Sequence, residues 1–447
     1  MKLARLLAPI ALATLLAGCA TPAQQRAPYV PTTLSAADRQ AAFDQVWKTI
    51  AEDYVDGNHN GVDWKSVGER YRPRALAAKD DEAFWRELNL MVGEMKDAHT
   101  SVRSPLEVNG KATQRGWHGL TLARVDGQLI VKGVAANSQA QLLGVRPGMK
   151  LVQIDGEAAE AWWQRTATEV RGSSTEKSNF SLVQQAFNAR PVDSLMRLRF
   201  ETGGAPLELT LRQDPLQPFG IRAHWLDSGL GYLRFAGFNP GLEQGLETSL
   251  VRLAGSKGLV LDLRENGGGS LKLTLQLLGW LLPPGKAGEV FTRDNRRLSA
   301  LFGLLDVTPT LEIKPQEKRL GVPLAVLIDE RSASAAELMA GVLQDQGRAR
   351  VFGEASCGCL LMVRGPGQSL PGGGRLVFSE ADMRIGKGKR IEGIGVQPDE
   401  PVLPATAALL AGRDLALEAA QAWLLKQADI TSTNTAPTNI TSKAGQP

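Results

Sequence analysis

The sequence predicts a multidomain α/β protein, with a helical N-terminal domain, a mostly β middle domain and an α/β core. Three observations carry that expectation. The 447 residues exceed one ordinary domain, and 43% hydrophobic against 22% charged residues favours folded domains over global disorder. Apolar residues first recur at spacings of three and four, then switch to short strand-like runs near residue 116. From about residue 218, apolar runs alternate with helical patterns, as in a layered sheet with helices packed on it. The net charge is only +4 and no Lys/Arg block stands out, so nucleic acid is not an expected partner.

Lys2 and Arg5 precede an apolar run, Leu6 to Leu16, of signal-peptide length and too short for an ordinary membrane span. It ends Leu16-Ala17-Gly18-Cys19, which resembles the bacterial lipobox. That resemblance implies a signal peptide over 1–18, cleavage before Cys19 and a lipid on its sulfur. A plain secretory signal with a chance cysteine is the alternative. Ala20 rather than Asp follows the cysteine, which by the sorting pattern of such lipoproteins implies the outer membrane rather than the inner. No later segment has 18 uninterrupted apolar residues, so the lipid is the expected membrane contact on the periplasmic side. Residues 19–35 are polar and Pro-containing and form the expected tether.

A helix is predicted from Ser35 to Asp56, with Phe43, Val46, Trp47, Ile50 and Tyr54 on one face. A second runs from Asp81 to Met95, with Phe84, Leu88, Met91 and Met95 in one stripe. Residues 36–105 make the helical domain, which includes Asp97-Ala98-His99-Thr100. Residues 108–215 alternate strands with turns: Leu120–Ala123, Leu129–Val134, Lys150–Ile154, Met196–Glu201 and Leu207–Arg212. The run from Leu143 to Gly156 resembles the hallmark of a PDZ domain, with a helix ending on Gly144, a Pro147-Gly148 turn, then a strand entering an Asp155-Gly156 turn. Trp117, His118, Gly119 and Leu120 stand where such a domain binds a peptide C-terminus and adds the peptide as a strand. His118 would touch the peptide. The stretch 157–190 is long for this fold and predicts extra helix.

In residues 216–425, strands are expected at Tyr232–Phe235, Gly258–Leu263, Leu324–Ile328 and Arg350–Phe352, with helices at Leu271–Leu282 and Ala335–Gln346. Ser334 lies at the start of the second helix, where unpaired N–H groups and the dipole favour a developing anion. Ser334-x-x-Glu337 also fits a plain capping box. Three glycines, 267–269, follow a buried-looking strand. They suit a flexible turn, or a close approach whose amides line an oxyanion hole. No Lys-Ser/Thr follows them, so they are not a phosphate loop. Residues 426–447, Thr/Asn/Ser-rich at their end, are an expected disordered tail.

Several of these pieces together resemble the C-terminal processing (tail-specific) peptidases and their tricorn-core relatives. They are Asp262-x-Arg264-x-Asn266-Gly-Gly-Gly269, Ser332-Ala-Ser-Ala-Ala-Glu337, Leu343-Gln-Asp-x-Gly-Arg-Ala349, Val351-Phe-Gly-Glu354 and Ile394-Gly-Val-Gln-Pro-Asp399. The resemblance spans about residues 40–425. It implies a multidomain α/β fold with an N-terminal helical domain, a PDZ domain and an α/β serine-peptidase core. It implies Ser334 as nucleophile, with the amides of Gly267 or Gly268 and of Ala335 as oxyanion donors. It implies a polypeptide substrate, selected through its C-terminus, and neither metal nor organic cofactor.

In the processing-peptidase branch a lysine acts as general base, and its position falls here on Cys359. The tricorn branch uses a histidine with a glutamate, at positions that fall on His99 and Glu392. His99 would be base and then acid, with Glu392 orienting it. A structural histidine at a domain junction is the bland alternative. The tricorn pattern has a serine just before the histidine, where this chain has Ala98; Thr100, Ser101 or a water would have to substitute. Lys387 and Lys389 sit in a Gly-Lys-Gly-Lys turn and are poor substitute bases. Cys357 and Cys359 flank one glycine, an awkward spacing for a disulfide, and no histidine is near for a metal. They are expected to pack beside the serine as soft filler, with oxidation in an oxidising compartment as a second reading and Cys359 as a nucleophile as a third. The rival function is a catalytically inactive PDZ-containing scaffold; a hydrolase of small peptides or esters is another.

Overall fold

A computed structural model describes residues 33–109, 116–215, 220–293, 299–300, 305–306 and 309–434. The expected signal peptide, Cys19 and most of the expected tether lie outside the described residues.

Three helices open the fold: α1 (Ala36–Asp53), α2 (Trp64–Leu76) and α3 (Asp81–Gly93). Ser35 and Asp38 form a reciprocal capping box at the start of α1, and Asp80 caps α3. Phe43, Val46, Ile50, Phe84, Leu88 and Met91 bury their apolar stripes against one another. Helix α2 was not expected, because Gly68 and Pro73 interrupt its pattern. Gly68 is there for contact: a Cβ would lie 2.3 Å from Trp47 Nε1. The indoles of Trp47 and Trp64 each donate to the other's carbonyl, at 3.2 and 2.9 Å. This domain is not self-contained. Strand β1 (Ser101–Arg103) pairs antiparallel with Arg375–Val377, and Leu361, Leu370, Leu376 and Phe378 complete its core.

The middle domain is an antiparallel sheet in spatial order β2 (Leu120–Val125), β3 (Gln128–Val134), β4 (Lys150–Ile154), β5 (Leu195–Glu201), β6 (Leu207–Arg212). The predicted extra helix is two helices, α4 (Ala159–Glu169) and α5 (Glu176–Asn188), between β4 and β5. The Asp155-Gly156 turn has positive φ at both residues, 52° and 87°, as its sequence requires.

The core sheet runs β7 (Arg222–Trp225), β8 (Gly231–Arg234), β9 (Leu259–Asp262), β10 (Leu324–Ile328), β11 (Ala349–Gly353), β12 (Glu400–Pro401). All neighbours are parallel except the first pair. Leu259, Leu261 and Val326 face α6 (Glu243–Leu253), α7 (Leu271–Leu281) and α8 (Ala335–Asp345). Val260, Ala325 and Leu327 face α9 (Leu415–Asn434) on the other side. Both faces are covered, which is why these strands read as unbroken apolar runs. Helix α9 corrects the expected tail from 426: seated by Ala416, Ala420 and Leu424, it continues to Asn434. None of the described helices is long and apolar enough to cross a membrane.

Candidate active site

The glycine turn and Ser334 both follow the carboxyl ends of neighbouring parallel strands, β9 and β10, where open α/β sheets place their sites. Ser334 stands at the head of α8 with φ 55° and ψ −117°, a left-handed conformation that is strained for a residue with a side chain. Gly268, at φ 89°, lies directly against it. A Cβ there would come within 2.7 Å of Ala333 O and Ser334 Cβ and 2.9 Å of the Ala335 nitrogen. Asn266 locks the turn. Its Nδ2 donates to Phe235 O at 2.9 Å, its Oδ1 accepts from Gly268 N–H at 3.0 Å, and its carbonyl accepts from Ala333 N–H at 3.0 Å.

That locking corrects two of the expected oxyanion donors. The Gly268 amide is committed to Asn266, and the Gly267 amide donates to Ala236 O at 3.3 Å. Ala335, at the first position of α8, has no acceptor a turn back within its helix.

Glu337 makes half of the anticipated cap and does more. Its Oε2 accepts from the amides of Ser334 and Cys359, both at 2.9 Å. Its Oε1 accepts from the Ser356 hydroxyl at 2.6 Å and the Gly358 amide at 2.7 Å. Burial pushes this carboxyl up, and the four donors oppose the shift. Ser332, also unanticipated, ties the loop down by donating to Leu263 O at 2.8 Å.

Cys357 and Cys359 are joined as a disulfide, with Cα atoms 5.3 Å apart. The expectation of free thiol filler is thereby corrected. Gly358 between them takes φ 75°, which lets the chain bend enough to bring both sulfurs together. The loop is tied to the segment carrying Ser334: Ser334 N–H also donates to Cys359 O at 3.1 Å, and Cys357 N–H donates to Ser332 O at 3.0 Å. Glu337 lies within 4.8 Å of both sulfurs. Its oxygens are saturated and the sulfurs bond each other, so this donor set does not suit a metal. Lys387 and Lys389 are exposed on their turn, away from the cleft.

His99 and Ser334 line one cleft of about 320 Å³, together with Arg171, Cys357 and Cys359. No hydrogen bond links the two side chains; catalytic contacts in ligand-free sites are commonly loose. Burial lowers the His99 pKa, Asp97 opposes the shift and Arg171 adds to it, so the ring is neutral near pH 7. Its Nδ1 is buried without a partner among the described residues. The expected contact with Glu392 is therefore not made. Glu392 instead accepts from the Leu360 and Leu361 amides, at 2.5 and 3.1 Å, and bonds the Ser174 hydroxyl. Burial, reinforced by Asp97, pushes its carboxyl up to about 8. Thr100 does not bridge either: its hydroxyl donates to Asp97 at 2.5 Å.

The expected peptide loop lies elsewhere. Trp117 and His118 line a second cleft with Ala135, Ser138 and Arg222. His118 packs edge-on against Phe187, and burial holds its pKa down at about 4. Its Nδ1 accepts the Leu120 amide at 3.3 Å, and Gln184 accepts the Leu122 amide at 2.8 Å. Two amides of edge strand β2 that a peptide strand would use are thus already capped. Gly119, at φ 85°, is pressed against Ser138.

Residues 229–402 match peptidase family S41, and residues 35–95 match the tricorn protease C1 domain. The chain is 27% identical over 391 residues to carboxyl-terminal-processing peptidase 2, chloroplastic, of Arabidopsis thaliana, covering 83% of this chain and 70% of that one. It is 24% identical over 389 residues to a carboxyl-terminal-processing protease of Synechocystis sp., covering 83% of each. Among solved structures, the photosystem II D1 C-terminal processing protease superposes with a TM-score of 0.56 at 23% identity, over 85% of this chain and 98% of that one. Mature CPAF superposes with a TM-score of 0.62 at 14% identity, over 90% and 99%. These two structural likenesses speak for the fold.

Proposed function

We propose, for a chain that belongs to the C-terminal processing peptidase family and is a serine-type peptidase, that it hydrolyses polypeptide chains by a Ser334–His99 mechanism. The observation that carries this reading is the seat of Ser334: at a helix start, in a strained turn, against Gly268, in the same cleft as His99. Ser334 Oγ attacks the scissile carbonyl carbon and its proton passes to the neutral His99 ring. The Ala335 amide donates to the oxyanion. The C–N bond then breaks as His99 returns the proton to the leaving amine, and water repeats the sequence to release the acyl group. Glu392 serves this site indirectly, by fixing the chain at 360–361 and the Ser174 hydroxyl. The middle domain is read as a PDZ domain that selects a substrate C-terminus, which requires the edge of β2 to be released from His118 and Gln184, and Cys19 as a lipid anchor holding the protein at the periplasmic face of the outer membrane. Fractionation of a Cys19→Ser variant tests the anchor: release from the membrane fraction is expected, and unchanged retention would refute it.

Degradation of unfolded casein by the form starting after Cys19 tests the mechanism. Activity is expected in the parent and lost in Ser334→Ala and His99→Ala. A second reading, an inactive peptide-binding scaffold, is favoured by the disulfide at the lysine-equivalent position and the unpartnered His99 Nδ1. A folded parent that binds peptides without cleaving them would establish it. A series of substrate lengths distinguishes proteolysis from hydrolysis of small peptides or esters.

A further inference from the structure

We propose that residues 171–177, the approach to α5 in the middle domain, are a positioning clamp that holds the His99 loop and the disulfide loop in register across the cleft. The inference rests on the Ser334–His99 reading above. The two loops come from distant parts of the chain, His99 from the end of the helical domain and Cys357–Cys359 from the core. A short span touches both.

On the His99 side, the Arg171 guanidinium donates to Asp97 O at 2.8 Å, Gly172 O at 3.1 Å and Ala98 O at 2.5 Å. Ser174 Oγ accepts the Ala98 amide at 2.9 Å and bonds Glu392. Thus the two residues that precede His99, Asp97 and Ala98, are gripped. The contact is too close for side chains: a Cβ on Gly172 would sit 2.4 Å from Gly93 O, and one on Gly93 would sit 2.7 Å from the Gly172 nitrogen. On the other side, Thr175 Oγ1 donates to Cys357 O at 2.7 Å and Lys177 Nζ to Ala355 O at 3.2 Å. A Cβ on Gly358 would strike Thr175 Cγ2 at 2.9 Å. Thr175 also caps α5 by accepting the Ser178 amide at 3.1 Å, so the clamp is anchored to a helix rather than to a free loop.

Arg171 has a second effect. Its hydrogen bonds go to carbonyl oxygens while the Asp97 carboxylate partly offsets its charge, and that charge adds to the burial that lowers the His99 pKa. The other charged groups facing this cleft are Asp97, which opposes that effect, and Glu265, Glu330 and Arg331 on the far wall.

Arg171→Lys, Arg171→Gln, Ser174→Ala and Thr175→Val separate these roles. Loss of the carbonyl fork or of either hydroxyl should lower kcat by about tenfold to 100-fold with KM within about twofold, the pattern of misplaced catalytic groups. The acid limb of kcat/KM should move up in Arg171→Gln, which lacks the charge, and stay in Arg171→Lys, which keeps it. Two readouts need no turnover: NMR titration of the His99 imidazole, and amide exchange at 97–100 and 355–359. The clamp predicts faster exchange in both loops for Ser174→Ala and Thr175→Val, and a raised His99 pKa for Arg171→Gln. Folded variants with unchanged kcat, exchange and titration would overturn it. A parent without turnover, whose variants still loosen both loops, would instead fail the Ser–His reading and leave the clamp standing.

Discussion

Gly268 and Ser334 depend on each other's backbone. The serine occupies a left-handed conformation, and the glycine leaves room for it by having no side chain. Gly268→Ala should therefore cost both stability and reactivity. Strain at positive φ and the contact with Ser334 Cβ predict a loss of about 1–3 kcal/mol in urea denaturation and a fall in Ser334 reactivity of at least about 100-fold. Wild-type stability and reactivity in that variant would show that the close approach is not needed. Glu392 makes a separate prediction. Its folded-state pKa of about 8 stands above its ordinary 4.5, so its share of stability is whole below pH 4.5 and is gone once pH passes about 8. The melting temperature should fall across that window, and Glu392→Gln should flatten the fall. Both residues were visible in the sequence as motif positions. The contacts that decide their roles were not: Glu392 was read as the partner of His99, yet backbone amides more than thirty positions earlier in the chain claim it.

At the scale of elements, strand β3 reaches the loops that leave β10 and β11 through one side chain. Lys132 Nζ lies 3.0 Å from Asp329, 3.2 Å from Glu330 and 2.8 Å from Glu354, at the exits of β10 and β11. Removing it leaves three carboxylates crowded in a poorly solvated site. Lys132→Met should destabilise the protein by about 3–5 kcal/mol in urea unfolding. The loss should shrink below the pH where Glu330, pushed up to about 7 by burial, takes up a proton. A variant as stable as the parent at pH 8 would show the pin to be dispensable. Elements of this kind were unequally legible. Strands β9 and β10 declared themselves because both faces are buried, and the Asp155-Gly156 turn because few residues tolerate that geometry. Helix α2 hid behind Gly68, which Trp47 packs against, and Pro73, which stands inside the helix near its carboxyl end where proline ordinarily breaks one. The Arg171 clamp has no signature in sequence, since its partners are carbonyl oxygens seventy positions away.

Across the whole molecule, three parts of the chain meet at one cleft. The helical domain brings His99, the core brings Ser334 and the disulfide loop, and the middle domain brings Arg171, Ser178 and Gln185. The order of motifs along the sequence foretold that the parts would share one architecture. It did not foretell that residues 361–378 finish the core of the helical domain, because shared burial leaves no local periodicity. This arrangement makes catalysis a property of the assembled chain, and its central claim is a serine activated by a neutral histidine. The most direct measurement is labelling with a fluorophosphonate, followed by mass spectrometric mapping of the adduct, at pH 5 to 9. The account predicts a single adduct on Ser334, abolished in Ser334→Ala, strongly slowed in His99→Ala, kept when Cys357 and Cys359 are both Ser, and still rapid at pH 6 because the His99 pKa is lowered. An adduct elsewhere, or labelling of Ser334 that does not depend on His99, would contradict it.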